Sequence, residues 1–495
     1  MTENVVTTTG GRVRGAASPR SADGSVIVHR SIPYAAAPFG EHRFAAPAPP
    51  APWDGVRDHT SFGPPPPQKP HLVGAAAWSP DMSDDCLTLT VWSAARPGDR
   101  APVLVWIHGG AYIVGASSEP SYDGTRLAES GPVVVGINYR IGFEGFGHVP
   151  GRPDNRGILD QAAALRWVRD NIENFGGDPD NVTVAGESAG AGSVVCLMAS
   201  PDARGLFRRA IAHSVPGDMI TPGTARSVAE RIAAAAGVPY EAESLSALSP
   251  EKVLDAIDVV LAETPSGGFK PFTCFAPVVG GPELPESPLE AAARGGTAGI
   301  DLLIGHNAHE FRLFTELGQE VRIDDEQVLR DTVARLGLRE DAVEVYRAAN
   351  PGASVRELFN AVQSDAVFCE YTVRFAEAHA RGGGRAFFFR FAAESTVLDG
   401  RLGACHGLDL PFAFGNLDGD FGMFLLDGAP TEAHHDLAAR MVAAWRDFAA
   451  TGDPGWASVT AEATVVKEWN TPDVLYPGHV APVREVWADV PLAPK

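Results

Sequence analysis

The chain has 495 residues and carries 62 acidic against 40 basic side chains, a net charge of −22 at neutral pH. So large a negative excess argues against nucleic acid or an anionic membrane surface as partner, because both would be repelled. Hydrophobic residues at 45% and charged residues at 21% are ordinary for a folded globular protein and exclude wholesale disorder.

At 52.1 kDa the chain has room for one large α/β domain or several smaller ones. The N-terminus, Met1-Thr2-Glu3-Asn4-Val5-Val6, has neither a basic n-region nor an apolar h-region, so no signal peptide is read there. No run approaches the roughly 18 apolar residues that a membrane span needs. The five cysteines (Cys86, Cys196, Cys274, Cys369, Cys405) are odd in number and scattered, and fit neither a disulfide framework nor a zinc site. Reduced, mostly buried thiols in a cytoplasmic protein are expected.

In chain order, residues 4–30 alternate short β-rich runs with glycine turns and predict a meander. A proline-rich surface segment runs on through Trp53, and Pro64–Pro67 reads as a stiff loop. Strands are expected at Leu87–Trp92, at Val103–His108 running directly into Gly109-Gly110, and at Val133–Tyr139. Gly157–Asn171 has helical periodicity, and the apolar run Val182-Thr183-Val184-Ala185 after it reads as a buried strand. Strands alternating with helices imply a mainly parallel sheet covered on both faces.

From about 216 to 300 the pattern turns helical, with Arg226–Ala236 and Lys252–Glu263 as candidate helices. Strand character returns at Leu302-Leu303-Ile304, more helix is expected over 325–382, and Ala386–Phe391 reads as a late strand. His435–Ala450 reads as the last long helix, ended by Gly452-Asp453-Pro454. No repeat or linker marks a boundary, so residues 1–495 are read as one domain whose helical stretches cap the sheet.

The chemistry centres on Gly186-Glu187-Ser188-Ala189-Gly190. A serine between a strand and a helix, flanked by small residues, sits on a sharp bend that lifts its hydroxyl clear and places it at a helix N-terminus. His108-Gly109-Gly110-Ala111, at the end of an earlier strand, has the form of a turn whose amides complete an oxyanion hole. Gly109, Gly110 and Ala189 would supply three donors. Acyl transfer by serine also requires a base and an acid to orient it.

Where the chain order is serine, acid, histidine, the base lies downstream of Ser188, among His213, His306, His309, His379, His406, His434, His435 and His479. His406 stands in a small-residue loop beyond a strand, which suits a ring that must approach the serine. Glu310, beyond the strand at 302–305, is the candidate acid. His306-x-x-His309 hints at metal but offers no third ligand, and neither metal nor cofactor is expected.

These motifs resemble the type-B carboxylesterases, the family of bacterial para-nitrobenzyl esterases and cholinesterases. The similarity runs nearly end to end, through Ile32-Pro33-Tyr34-Ala35, Asp84-Asp85-Cys86-Leu87, Trp106-Ile107-His108-Gly109-Gly110, Asn138-Tyr139-Arg140, Asp160-Gln161, Phe175-Gly176-Gly177-Asp178-Pro179 and Thr451-Gly452-Asp453-Pro454. The resemblance implies an α/β-hydrolase fold with Ser188 as nucleophile, Glu310 as acid and His406 as base. It also implies supporting polar roles for Glu187 and Ser193. Three departures stand out. No cysteine precedes Cys86 to pair with it, His213-Ser214-Val215 replaces Gln-Ser-Gly, and Val279-Gly280-Gly281 replaces Val-Asp-Gly. Neither of the last two is expected to touch the triad. His309 also stands before Glu310 where aspartate is common.

The expectation is a soluble serine carboxylesterase acting on small-to-medium, largely apolar esters, with Tyr112, Phe314 and Phe412 as pocket walls. A small-molecule ester is its only expected partner, with no nucleic acid, no membrane and no obligatory protein. An adhesion-type binding protein of the same fold is the rival from another class, but such proteins lack an intact triad. An amidase or carbamate hydrolase is the rival chemistry.

Overall fold

The computed structural model describes residues 4–69, 77–263, 273–318, 323, 325–460, 464–478 and 483–495. Eleven strands make the large sheet: β1 (Ala16–Ala17), β2 (Ile27–Pro33), β3 (Thr88–Ser93), β4 (Ala101–Ile107), β5 (Val133–Ile137), β6 (Gly177–Glu187), β7 (Arg209–His213), β8 (Asp301–Asn307), β9 (Ala386–Phe391), β10 (Val465–Trp469) and β11 (Val474–Pro477). Their spatial order is β11-β10-β9-β8-β7-β6-β4-β5-β3-β2-β1. From β5 to β10 every neighbouring pair is parallel, and both edges are antiparallel.

The parallel strands are apolar on both faces because helices cover both. Along β4, Val103, Val105 and Ile107 enter one core, while Leu104 and Trp106 enter the other, as a period of two requires. The expected N-terminal meander is only partly in this sheet. Val5–Thr7 and Arg12–Arg14 form a hairpin, extended in parallel by Val56–Asp58 as a separate small sheet.

Of the predicted helices, Gly157–Asn171 begins one residue earlier, at Arg156. Arg226–Ala236 is a longer helix, Pro222–Ala235, because Thr221 caps it and Pro222 fits its first turn. The last long helix is Glu432–Thr451, capped by Thr431 and ended by Gly452 at φ 80°. Residues 264–272 of the first capping stretch lie outside the described residues. In the second stretch Glu326–Arg335, Ala342–Ala349 and Val355–Ser364 pack with Trp487 into a satellite core. A π-helical turn, Asp365–Cys369, joins Val355–Ser364 to the helix Glu370–Arg381.

Register brings the site together. Ile107 pairs with Gly186, and Glu187 pairs with His213, which in turn pairs with Gly305. The carboxyl ends of β4, β6, β7 and β8 therefore finish level, and the loops beyond them share one edge of the sheet, where open α/β sheets place their ligands. Beneath that edge, Arg140 after β5 grips Asp160 of the helix Arg156–Asn171 with Nε at 2.8 Å and Nη2 at 2.7 Å, both groups buried.

Candidate active site

Between the end of β6 and the helix Ala189–Ala199 stands Ser188 alone, at φ 55° and ψ −126°. For a residue with a Cβ that conformation costs on the order of 1–3 kcal/mol and persists only where the surroundings enforce it. They do so here: the Ser188 N–H donates to the His213 carbonyl and the Gly192 N–H donates to the Ser188 carbonyl, each at 2.9 Å. A Cβ at Gly186 would lie 2.6 Å from the Gly190 carbonyl group, and one at Gly190 would overlap the Ile107 carbonyl oxygen. Both glycines are thus required by the closeness of helix and strands. Ser188 is half-buried between buried neighbours.

His406 comes from the loop after β9. That loop is pinned to the segment after β8 by two backbone bonds, His309 N–H to the Ala404 carbonyl and His406 N–H to the Glu310 carbonyl. The His406 Nδ1 donates to Glu310 Oε2 at 2.6 Å. Glu310 is fully buried, and its other oxygen accepts the Asn307 N–H at 2.7 Å and the Ser214 hydroxyl at 2.5 Å. A buried carboxylate requires such donors, and it has three. The His406 ring stacks on Phe368 at 4.3 Å between centroids, with Phe314 at 5.3 Å.

The electrostatics follow from three carboxylates around one imidazole. Burial alone would push His406 down, but Glu187 and then Glu310 outweigh it and lift the ring above its ordinary range. Burial is also the main force on Glu187, which is held well above a normal carboxylate. Each group's charge acts on the other, so they bind and release protons as a pair. Further out, burial lifts Glu119 to about 7.

The turn after β4 packs directly on the elbow. A Cβ at Gly109 would come within 2.8 Å of the Glu187 carboxylate and 3.2 Å of the Ser188 Cβ. Gly110, Ala111 and Tyr112 all take positive φ, at 106°, 53° and 61°, curling their amides round the end of the strand. Ala111, which sequence reading did not single out, is the next amide on the turn.

The structure brings Ser188, Glu187, His406, Glu310, Gly109, Gly110 and Phe314 together, but several other expectations change. Tyr112 is buried against Phe146 at 4.6 Å, and Phe412 is buried against Phe391 at 5.1 Å, so both are core residues. Ser193 lies one turn into the helix and accepts from Gln161 at 3.0 Å, bracing helix on helix. Contrary to expectation, Ser214 touches the candidate acid directly. Only strand register reveals this: His213 pairs with Gly305 near the end of β8 and the Ser214 N–H donates to the Gly305 carbonyl, so Ser214 falls beside the segment that carries Glu310.

The other histidines are engaged elsewhere. His213 meets Asp409, His306 faces the Asn307 carbonyl, His379 meets Thr297, and His434 caps its own helix. The His309 Nδ1 accepts from the Ala404 N–H, and burial lowers its pKa to about 3. His479 lies outside the described residues. The Asn307 side chain and Phe368 also gave no sequence signal, the latter because it is placed by a π-helical turn.

A nucleophile elbow at the carboxyl edge of a mostly parallel sheet, with a histidine–carboxylate pair beyond later strands, is the arrangement of the α/β-hydrolases, and that is the class of this fold. The chain belongs to the carboxylesterase family, whose model matches residues 2–473. It is 37% identical over 466 residues to the para-nitrobenzyl esterase of Bacillus subtilis (strain 168), covering 93% of this chain and 92% of that one. It is 35% identical to a phenmedipham hydrolase of Pseudarthrobacter oxydans, over 87% of each chain. A crystal structure of a Geobacillus stearothermophilus carboxylesterase matches with a TM-score of 0.86 at 38% identity, over 98% of this chain and 100% of that one. The chain is accordingly an enzyme of carboxylic-ester hydrolysis. Among the described residues no helix is long and apolar enough to cross a membrane.

Proposed function

We propose that one catalytic domain spanning residues 1–495 hydrolyses small-to-medium, largely apolar esters through Ser188, His406 and Glu310. The observation that carries this reading is the 2.6 Å bond from His406 Nδ1 to buried Glu310, next to a serine held at φ 55°. Ser188 Oγ attacks the ester carbonyl carbon as its proton passes to His406 Nε2. The carbonyl oxygen becomes an oxyanion facing the amides of Ala189 and Gly110. Gly109 is the third donor that the sequence suggests, and Ala111, the next amide on the same curled turn, is the alternative.

Collapse of the tetrahedral intermediate breaks the bond to the alcohol, which leaves with the proton from His406. Water then attacks the acyl-enzyme by the same steps and releases the acid. Glu310 fixes the ring tautomer and stabilises the imidazolium. Phe314 and Phe368, beside the base, favour apolar ester groups over charged ones. The reading includes no cofactor, nucleic acid, membrane or obligatory protein partner, and five free thiols fit a cytoplasmic setting.

The test is turnover of a para-nitrophenyl ester series of increasing acyl length, set beside matched amides and carbamates. Ester turnover that collapses by roughly 10⁴–10⁶ in Ser188→Ala, with stoichiometric organophosphate labelling at Ser188, supports the reading. Labelling elsewhere, or near-normal turnover in the variant, overturns it.

A further inference from the structure

Behind the His406 loop lies a second histidine–carboxylate pair that the proposed triad does not use. His213 closes β7 with no exposed surface, and its Nδ1 makes a short contact with Asp409 Oδ2. Asp409, equally buried, opens the helix Asp409–Phe414 three residues after His406. Its other oxygen accepts the Asn307 side-chain amide at 3.0 Å. Two strand tips therefore hold two carboxylates in parallel. On β7, His213 takes Asp409 while the following Ser214 takes Glu310; on β8, Asn307 takes Asp409 with its side chain and Glu310 with its N–H.

The second ring nitrogen of His213, Nε2, is buried without a hydrogen-bond partner among the described residues. The ring packs against Phe389 and Trp445, each 4.6 Å away between centroids. A proton on Nε2 would be a buried donor among aromatic rings with nothing to accept it, which is costly. The ring is thus built to give one hydrogen bond, through Nδ1. A donor of that kind satisfies a buried carboxylate without cancelling its charge. The His213 Nδ1–H and the Asn307 amide both donate to Asp409, and hydrogen bonds given to a carboxylate favour its ionised form.

We propose that His213 is a positioning residue acting through Asp409: it holds that carboxylate ionised beneath the His406 loop, and the charge so held favours the imidazolium formed as Ser188 attacks. This rests on the triad reading above. The charged and titratable groups facing His406 come from separate elements: Glu187 from β6, Glu310 after β8 and Asp409 from its helix. Glu119 acts on Glu187, and His306 is acted on by Glu310, Arg390 and Asp409. His213 itself occupies the position where the resemblance leads one to expect glutamine.

The experiment compares Asp409→Asn, His213→Ala, His213→Gln and the double variant His213→Ala/Asp409→Asn. Two readouts are used: the acidic limb of kcat/KM, and NMR titration of the His406 ring in histidine-labelled protein, assigned by its loss in His406→Gln. Asp409→Asn should lower both by roughly one pH unit, the size expected on losing a nearby opposite charge. His213→Ala leaves Asp409 with the Asn307 amide as its one remaining donor, makes it bind a proton, and should give a shift of the same size. The double variant should shift no further, and His213→Gln, which keeps a donor, should restore at least half.

A limb and titration unmoved in His213→Ala, or a double-variant shift equal to the sum of the singles, overturns the proposal. Should the alanine variant fail to fold, His213→Leu fills the aromatic cage without a donor and takes its place in the comparison. The titration reads the coupling without turnover. An active Ser188→Ala enzyme would therefore refute the triad reading separately from this one.

Discussion

The His406 Nε2 sits 3.0 Å from Glu187 Oε1, yet that oxygen gains no hydrogen bond from it, because the contact lies off the N–H direction. Glu187 therefore acts on the base through charge and leaves the donor axis of the ring unoccupied. A carboxylate aligned with Nε2 would compete with the serine for the proton in transit; one placed to the side biases the ring without blocking it.

The consequence is a pH profile displaced from that of a free imidazole. The base must be neutral to accept the Ser188 proton, so kcat/KM rises with pH through the pKa of His406. Burial opposes the charged ring, but Glu187 and Glu310 outweigh it and raise that value from 6.5 to about 9. The acidic limb should therefore lie above 6.5. Glu187→Gln removes one upward push and should move the limb to lower pH by roughly one unit. A limb that stays in place in Glu187→Gln would show that Glu187 carries no charge in the working enzyme.

Glu310 is expected to act almost wholly on kcat. Glu310→Gln keeps the shape and, with its carbonyl oxygen toward the Ser214 hydroxyl and the Asn307 N–H, presents an amide NH2 where His406 Nδ1 requires an acceptor. Loss of a triad carboxylate with shape retained costs roughly 10⁴ in turnover. KM should change little, since the group is buried behind the ring. Asp409→Asn should lose far less, about tenfold at most, because Asp409 meets His213 and Asn307, not His406. Collapse in the Asp409 variant with normal Glu310→Gln turnover would reverse the assignment.

Much of this site was legible because its chemistry is local in sequence. Gly186, Ser188 and Gly190 are forced by one strand-to-helix turn, and Gly109-Gly110 by another, so each motif is readable without long-range information. The parts that were misread depend on pairing between distant segments. Ser214 reaches Glu310 across 96 residues, and His213 reaches Asp409 across 196. Aromatic residues misled most. Composition cannot tell a core ring such as Phe412 from one beside the base such as Phe368, whose placement depends on a π-helical turn that no periodicity announces.

All five cysteines are free thiols, four of them buried. Burial pushes Cys86 and Cys196 far above the ordinary thiol range, and Cys274, partly exposed, to about 12. Thermal unfolding should be the same with and without reductant. A thiol reagent at pH 8 should label the native enzyme slowly, at Cys274 first, and all five positions at once in denaturant. A melting temperature that drops on reduction would reveal a bridge.

The Arg140–Asp160 pair should be the costliest ionic contact to break below the active site. Asp160 accepts the Arg140 backbone N–H at 3.0 Å and both guanidinium arms, while Arg140 Nη1 donates to the Ala45 carbonyl at 2.8 Å. Side-chain exposure is 2% for the arginine and 0% for the aspartate. Removing one partner leaves the other charge buried and uncompensated, which typically costs about 3–5 kcal/mol. Asp160→Ala should approach the top of that range. Asp160→Asn, which keeps a carbonyl acceptor, should lie nearer the bottom. Replacing both partners with apolar residues of matching size, as in Arg140→Met/Asp160→Leu, should recover much of the loss, because neither charge is then stranded. Urea unfolding midpoints for the three variants decide the matter. A single-variant loss under about 1 kcal/mol, the scale of an exposed pair, would mean that water reaches Arg140 despite its burial.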